Sequence, residues 1–163
     1  MKPLILKSAP VVLATLVLTG LFMSTPSQQA SATPFDTLLG TWRGSGTVRL
    51  NSGTERLSCN AYYTGGGSRL GMAIRCKSTT SKVEIRSKLS LSGNRLSGNW
   101  EERTYNASGS ASGTASPGKI IIRVSGTITG SMAVSFSKSR QSVSIKTSGS
   151  PLQAVNITLS RSG

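Results

Sequence analysis

The sequence predicts an all-β fold, an antiparallel up-and-down β-barrel of about eight to ten strands with one disulfide. Three observations favour this class. Apolar and polar residues alternate with a period of two over most of the chain after residue 33, as in half-buried strands. A turn signal recurs about every ten residues. Residues 40–46, Gly-Thr-Trp-Arg-Gly-Ser-Gly, open this series with a tryptophan that we expect to lie across one end of the core.

The first 32 residues have the parts of a secretory signal peptide. These parts are, in order, Lys2 and Lys7, an apolar run over residues 9–23, and the small residues Ala30-Ser31-Ala32. The apolar run is shorter than the roughly 20 residues that a membrane span needs, and a retained membrane anchor is the alternative. We expect residues 1–32 to be cleaved. Residues 33–163 then form a single exported, monomeric barrel domain, periplasmic or extracellular.

The first two strands after the tryptophan strand predict a disulfide. The Gly67-Ser68 step suits a two-residue hairpin loop of type II′. Closing this loop on Gly66 and Arg69 sets Cys59 opposite Cys76 at a non-hydrogen-bonded pair. There the Cα atoms approach to about 4.5 Å, inside the disulfide range. Two buried free thiols are the alternative. The inner faces of these strands are Leu57, Cys59, Ala61 and Tyr63, and Leu70, Met72, Ile74 and Cys76.

The remaining strands continue the same alternation, and each neighbouring pair can be aligned with its apolar faces on one side. A Gly93-Asn94 turn places Leu91 opposite Leu96, and we expect a further turn at residues 129–131. The inner faces expected after the disulfide hairpin are Val83, Ile85, Leu89 and Leu91; Leu96, Gly98 and Trp100; Ile120, Ile122, Val124, Gly126 and Ile128; Met132, Val134 and Phe136; Val143 and Ile145; and Val155, Ile157 and Leu159.

Residues 106–118 are the ambiguous segment, because they are rich in Gly, Ala and Ser. A disordered loop is one interpretation. The small residues nevertheless alternate, and Ser116-Pro117-Gly118 is a good turn into the next strand. We therefore predict a poorly packed strand or barrel seam, where glycine allows another backbone to approach closely.

Residues 38–46 resemble the opening of the calycin superfamily, which comprises lipocalin-like and fatty-acid-binding-protein-like barrels. The Gly-x-Trp-x-Gly-x-Gly pattern at Gly40, Trp42, Gly44 and Gly46 is most similar to that of nitrobindin-type barrels. Small exported inhibitors of bacterial metalloproteases also have Gly-x-Trp barrels with one disulfide. The resemblance implies a barrel that binds a ligand or a protease. Nitrobindins bind haem through a histidine, and this chain has none, so that role does not carry over.

The residue content argues against an enzyme. The absence of histidine removes the common general base and the common metal ligand. Glu101 and Glu102 are neighbours on one strand and point to opposite faces, so they cannot act as a paired acid and base. The sequence contains no phosphate loop and no metal-ligand spacing. We expect no catalytic residue, no metal and no cofactor.

The inward side chains are the candidate ligand surface. Gly44, Gly46, Gly98 and Gly126 are expected to leave room inside the barrel, although a fully packed core is the alternative. Glu102 is the one inward carboxylate, and we expect it to be solvated near a rim. The ligand-pocket candidates are Trp42, Tyr63, Met72, Ile74, Trp100, Met132 and Phe136.

Charge is the second signal, because 19 Lys and Arg against 5 Asp and Glu give a net charge of +14 at pH 7. Six cations are expected to project outward from two consecutive strands with Glu84 as the nearby acid. They predict either a solvated face or a surface that binds anionic lipid or lipopolysaccharide. Nucleic acid is not an expected partner, since no aromatic residues are interleaved with these cations. The six are Arg69, Arg75, Lys77, Lys82, Arg86 and Lys88.

The sequence thus favours an exported, non-enzymatic barrel that binds a small hydrophobic or amphiphilic ligand, an anionic envelope surface, or both. A protease inhibitor that presents residues 33–38 is the first alternative. A structural envelope protein is the second.

Overall fold

A computed structural model describes residues 32–162, which form ten antiparallel strands in one closed barrel. This confirms the predicted fold class. The predicted signal peptide lies outside the described residues apart from Ala32. The strands are β1 (Gly40–Leu50), β2 (Gly53–Gly66), β3 (Arg69–Lys77), β4 (Lys82–Ser92), β5 (Arg95–Glu102), β6 (Ala107–Ser116), β7 (Lys119–Gly126), β8 (Thr129–Phe136), β9 (Arg140–Ser148) and β10 (Leu152–Arg161).

Each strand pairs with its neighbours in sequence, and the barrel closes where β1 pairs with β10. Closure leaves no sheet edge, which removes the main route to aggregation of β-proteins. The alternating apolar residues all point inward and form one continuous core. Within residues 32–162, no helix has the length and hydropathy of a membrane span.

The β2–β3 hairpin has the predicted register and the predicted disulfide. Gly66 pairs with Arg69, and Cys59 pairs with Cys76. The two cysteines are bonded, with their Cα atoms 4.1 Å apart. Gly67 has a φ of +57°, as the first turn position of a type II′ loop requires. The free-thiol alternative is therefore wrong.

The ambiguous segment forms strand β6, which is paired along its length with β5 and β7. A Cβ on Gly109 would collide with the carbonyl oxygen of Ser125, and one on Gly113 would collide with that of Ile121. Glycine therefore allows the backbones of β6 and β7 to approach closely here, as the seam interpretation predicted. The disordered-loop alternative is wrong.

The turn between β7 and β8 differs from the expected position at residues 129–131. Strand β7 ends at Gly126, whose φ is +136°, and β8 already begins at Thr129. Ile128 therefore lies in the turn and not on the inner face of β7. Gly130, which suggested a turn in the sequence, lies inside β8, where a Cβ would be 2.6 Å from the carbonyl oxygen of Lys146.

Candidate functional site

One end of the barrel is closed by the segment that precedes β1. We call it the closed end, defined by Phe35, Leu38, Trp42 and Arg161. Phe35, Leu38 and Trp42 are fully buried. The Trp42 indole Nε1 donates a 2.8 Å hydrogen bond to the carbonyl oxygen of Leu38. The predicted position of this tryptophan, across one end of the core, agrees with the structure.

Arg161, the last residue of β10, contacts Trp42 and several backbone carbonyl oxygens at the closed end. Its guanidinium carbon lies 4.3 Å from the centre of the Trp42 ring, a cation–π contact. The side chain also donates hydrogen bonds to the carbonyl oxygens of Leu39 at 2.6 Å, Lys138 at 2.7 Å, and Thr37. The sequence analysis missed this residue. The signal was available, because the inward parity of Val155, Ile157 and Leu159 continues to position 161.

A buried polar pair lies deeper at the same end. The Gln141 Nε2 donates a 2.7 Å hydrogen bond to the hydroxyl of Tyr63, and both side chains are almost inaccessible to solvent. Burial raises the pKa of the Tyr63 hydroxyl well above its usual range, and the hydrogen bond from Gln141 offsets part of that rise. The phenol is therefore a fixed neutral group of the core.

At the other end the barrel encloses a cavity of about 240 Å³. We call this the open end, formed by the turns β1–β2, β3–β4, β5–β6, β7–β8 and β9–β10. The cavity wall is mainly apolar, as is usual for sites that hold small ligands. Its wall includes Met72, Ile85, Trp100, Val124, Met132 and Leu152.

The cavity wall includes only some of the predicted pocket residues. Met72, Trp100 and Met132 line the cavity. The other four do not belong to the cavity wall: Trp42, Tyr63, Ile74 and Phe136. Strand direction explains Trp42, Tyr63 and Phe136, which lie near the closed end of their strands. It does not explain Ile74, which is two residues nearer the open end than Met72 on β3. Alternation shows which face a residue occupies, but it does not show how far along the barrel axis that residue lies.

The cavity does not arise from the glycines expected to leave room for it. A Cβ on Gly44 would collide with the carbonyl oxygen of Thr158, and one on Gly98 would collide with that of Lys88. The same holds for Gly46 and Gly126, against Asn156 and Ser108. A neighbouring backbone already occupies each space, so these glycines permit close strand packing. The cavity instead lies where the strands approach the open end.

Glu102 was expected to be solvated, and this is wrong. It is only 7 % exposed and lines the cavity. Its Oε1 accepts hydrogen bonds from the backbone N–H of Glu84 at 2.9 Å and Thr104 at 3.2 Å. Its Oε2 accepts a 2.6 Å bond from the N–H of Tyr105. The carboxylate therefore holds the β5–β6 turn, which carries Tyr105, against the cavity mouth.

The six predicted cations lie on the outer face of β3 and β4, and we call this surface the basic face. Glu84 lies between Arg75 and Arg86, with ion-pair distances of 3.3 and 2.6 Å. The hydrogen bond from Arg86, and then the charges of both arginines, lower the pKa of Glu84. Lys77 pairs directly with Lys82, a like-charge arrangement. The basic face is Arg69, Arg75, Lys77, Lys82, Arg86 and Lys88.

The segment proposed for protease inhibition is not free of the barrel. Residues 33–39 form a turn whose Phe35 and Leu38 are fully buried at the closed end. The Asp36 carboxylate accepts a 2.7 Å hydrogen bond from the N–H of Thr33 and closes this turn on itself.

Among residues 32–162 there is no cluster of three or more metal-ligating side chains.

Comparison with known proteins gives the class of fold. The barrel is similar to the crystal structure of Rv2717c from M. tuberculosis, with a TM-score of 0.63 and 14% identity over 81% of this chain and 99% of that one. It is also similar to the S-type phycobiliprotein lyase CPES from Guillardia theta, with a TM-score of 0.57 and 12% identity over 79% of this chain and 90% of that one.

No protein-family model matches the sequence, and no curated protein matches it significantly. The chain therefore shares its fold, a closed antiparallel barrel, with these two structures, and it has ten strands. At these identities the likeness concerns the fold alone, so function must be argued from the cavity and the surface.

Proposed function

We propose that this protein is a non-enzymatic binding protein that holds a small apolar or amphiphilic ligand in the cavity. The observation that carries the proposal is an apolar cavity that is open at one end of the barrel and closed by buried side chains at the other. Such a one-ended shape lets a ligand enter by a single route and removes most of its apolar surface from water.

The size of the cavity favours a small ligand. Its volume of about 240 Å³ is just below the roughly 300–1,000 Å³ of sites for drug-sized molecules. A tetrapyrrole is too large to be enclosed, and the chain offers no histidine to ligate haem iron. The three predicted residues on the wall, Met72, Trp100 and Met132, supply two flexible thioethers and one indole. Methionine adapts well to apolar ligands of different shapes.

Titration with N-phenyl-1-naphthylamine, a neutral dye that fluoresces in apolar surroundings, tests this proposal. Val124→Phe extends a side chain into the cavity and should weaken dye binding at least tenfold. Ile121→Phe is the matched control, because Ile121 lies on the same strand and faces outward. It should leave the affinity within about twofold of the wild-type value.

Two outcomes would refute the proposal. The first is a wild-type protein that does not bind the dye and whose tryptophan fluorescence does not change when an apolar ligand is added. The second is equal weakening by Val124→Phe and Ile121→Phe, which would place the dye outside the cavity. Thermal unfolding of each variant separates a lost site from a lost fold.

Export to the periplasm or cell exterior remains part of the proposal. The signal-like leader and the cysteine pair, which forms a disulfide in the structure, support it, since disulfides persist in oxidising compartments. The burial of Phe35 and Leu38 disfavours the inhibitor alternative, because a protease cleft needs an accessible segment. N-terminal sequencing of the mature protein should give Thr33.

We propose a second role for the basic face, which is association with an anionic envelope surface. Six cations lie on β3 and β4, and Glu84 offsets part of the charge of two of them. The like-charge Lys77–Lys82 pair costs stability unless an anion neutralises it. Each basic residue near an anionic surface contributes about 1 kcal/mol.

Sedimentation with vesicles that contain an anionic phospholipid tests this second role. Replacing Lys77, Lys82 and Lys88 with Glu should abolish sedimentation. Replacing Lys119, Arg123 and Lys146 with Glu on the opposite side of the barrel is the matched control. Arg75 and Arg86 are left intact because Glu84 needs them. Equal binding by both triple variants, or binding that survives about 0.5 M salt, where charges are screened within about 4 Å, would refute this role.

A further inference from the structure

The polar groups of the cavity wall limit the charge that a bound ligand can carry. Within residues 32–162, the cavity wall contains no Lys or Arg. Its polar members are hydroxyl groups, on Ser87, Thr127, Ser131 and Thr147 among others, together with the carboxylate of Glu102. The only formal charge on the described wall is therefore negative, in a protein whose surface is strongly basic.

The carboxylate of Glu102 is fixed in place and already provided with hydrogen bonds. Three backbone N–H groups, of Glu84, Thr104 and Tyr105, donate to its two oxygens at 2.6 to 3.2 Å. The side chain is almost completely buried. It cannot turn toward a cationic ligand without breaking bonds that hold the β5–β6 turn. It also cannot move away from an anionic one.

These features set the charge of the ligand. An anionic head group inside the cavity would lose its hydration, find no cation on the described wall, and lie near a carboxylate in a medium of low dielectric constant. An ammonium group would be attracted by the carboxylate. It would nevertheless lose its hydration for oxygens that already accept three hydrogen bonds, which leaves about one of four lone-pair sites for its N–H groups. A neutral hydroxyl or ester group meets neither cost. The Ser87, Thr127 and Thr147 hydroxyls donate to backbone carbonyl oxygens, so they can accept from a ligand hydroxyl but not donate to it. The Ser150 hydroxyl accepts from the N–H of Leu152 and can still donate, as an ester would require.

We infer that the cavity selects an uncharged ligand, a neutral apolar molecule with at most one hydroxyl or ester group, and excludes fatty-acid anions. At the packing density of protein interiors, about 0.75, ligand atoms can fill about 180 Å³ of the cavity of about 240 Å³, which is about the volume of ten carbon and oxygen atoms with their hydrogens. A medium-length alcohol or a compact terpenoid alcohol fits this description. The inference rests on the proposed function, because it names the ligand class of the same site.

Three ligands that share one tail test the inference: nonanol, nonanoate and nonylammonium, each used near neutral pH to displace N-phenyl-1-naphthylamine. Nonanol should bind at least tenfold more tightly than either ion. Nonanoate or nonylammonium binding as tightly as nonanol would overturn the inference while leaving the cavity as a binding site. Failure of all three to displace the dye, or of the dye to bind, would overturn the proposed function itself.

The variant Glu102→Gln identifies the group responsible. Its amide oxygen can still accept hydrogen bonds from the turn, but the negative charge is gone. We expect the affinity for nonanoate to rise at least threefold, with the affinity for nonanol within about twofold of the wild-type value. Glu101→Gln is the matched control, because Glu101 is the neighbouring residue on the outer face. Equal effects of the two variants on nonanoate would show that Glu102 does not exclude anions.

Discussion

At the closed end, the segment before β1 and the last residue of β10 meet around Trp42, whereas at the open end five turns surround a cavity. The closed end contains the fully buried side chains of Phe35, Leu38 and Trp42. The indole of Trp42 and the guanidinium of the exposed Arg161 both donate to backbone carbonyl oxygens there. The open end contains half-buried apolar residues and the exposed Tyr105. A barrel secured at one end can keep unfilled space at the other, since stability need not be uniform within a fold.

The tryptophans test this difference with the largest expected effect. Trp42→Ala removes a fully buried indole and leaves the Leu38 carbonyl oxygen without its donor. It should lower the free energy of unfolding by about 4 kcal/mol. Trp100→Ala enlarges a cavity that is open at one end. It also removes the 3.2 Å hydrogen bond from the indole to the carbonyl oxygen of Ser125, but Ser125 is exposed and water can replace the donor. The loss of apolar burial should therefore dominate, at about 2 kcal/mol. Urea unfolding of both variants measures the difference, and equal losses would contradict the contrast between the two ends.

The disulfide tests whether the covalent bond contributes separately from the closed end. Cys59 and Cys76 are 17 residues apart in sequence, and a loop of this size is worth about 3 kcal/mol in the loop-entropy account. The Cys59→Ala/Cys76→Ala variant should be less stable by about this amount. The tryptophan bands of its near-ultraviolet circular dichroism should be unchanged, because the contact between Trp42 and Arg161 does not depend on the bond. A reduced protein as stable as the oxidised one would contradict the prediction.

Tyr63, at the closed end, should make the free energy of unfolding fall at alkaline pH. Burial raises the pKa of Tyr63, so the folded state keeps its proton while the unfolded phenol ionises near pH 10. The contribution of Tyr63 is therefore complete below about pH 10 and is lost as pH rises toward the folded-state pKa. The loss approaches about 1.4 kcal/mol per pH unit. Comparing the pH dependence of unfolding of wild type with that of Tyr63→Phe measures it.

Tyr62→Phe is the control for that comparison, because Tyr62 is the neighbouring residue and lies outside the core. Lysine titration affects all three proteins equally and cancels in the difference. An alkaline loss that persists in Tyr63→Phe and disappears in Tyr62→Phe would contradict the assignment.

The sequence predicted the strands and the disulfide better than it predicted which inward residues line the cavity, and the reason is physical. Period-two alternation and turn chemistry were sufficient for the strands apart from the turn between β7 and β8, and the hairpin argument was sufficient for the Cys59–Cys76 pair. These signals are local. The position of a residue along the barrel axis depends on the stagger between strands, which no single strand reveals. Trp42 and Trp100 both point inward, yet only Trp100 lines the cavity.

Glycine and Glu102 show what else local patterns miss. An inward Gly44 or Gly98 suggests empty space, but the space is filled by a carbonyl oxygen from the paired strand. Glu102 faces inward at the end of β5, which suggested a solvated position at the rim. Its carboxylate is instead buried and accepts hydrogen bonds from one N–H group of β4 and two of the β5–β6 turn. In both cases the deciding contact comes from backbone atoms of a neighbouring segment. Backbone positions follow from pairing geometry and not from residue type.

Glu84 gives the smallest predicted effect, in the basic face between Arg75 and Arg86. Hydrogen bonding from Arg86 and the charges of Arg75 and Arg86 lower its pKa from 4.5. A lowered folded-state pKa stabilises the fold above that value, and this stability is lost as pH falls through the folded-state pKa. Because the pairs are partly exposed, Glu84→Gln should cost only about 0.5 kcal/mol near pH 7. The difference from wild type should decrease as pH falls below about 4.5 and shrink in high salt. Glu101→Gln is the control, and a cost that does not depend on pH would show that packing, not charge, is what Glu84 contributes.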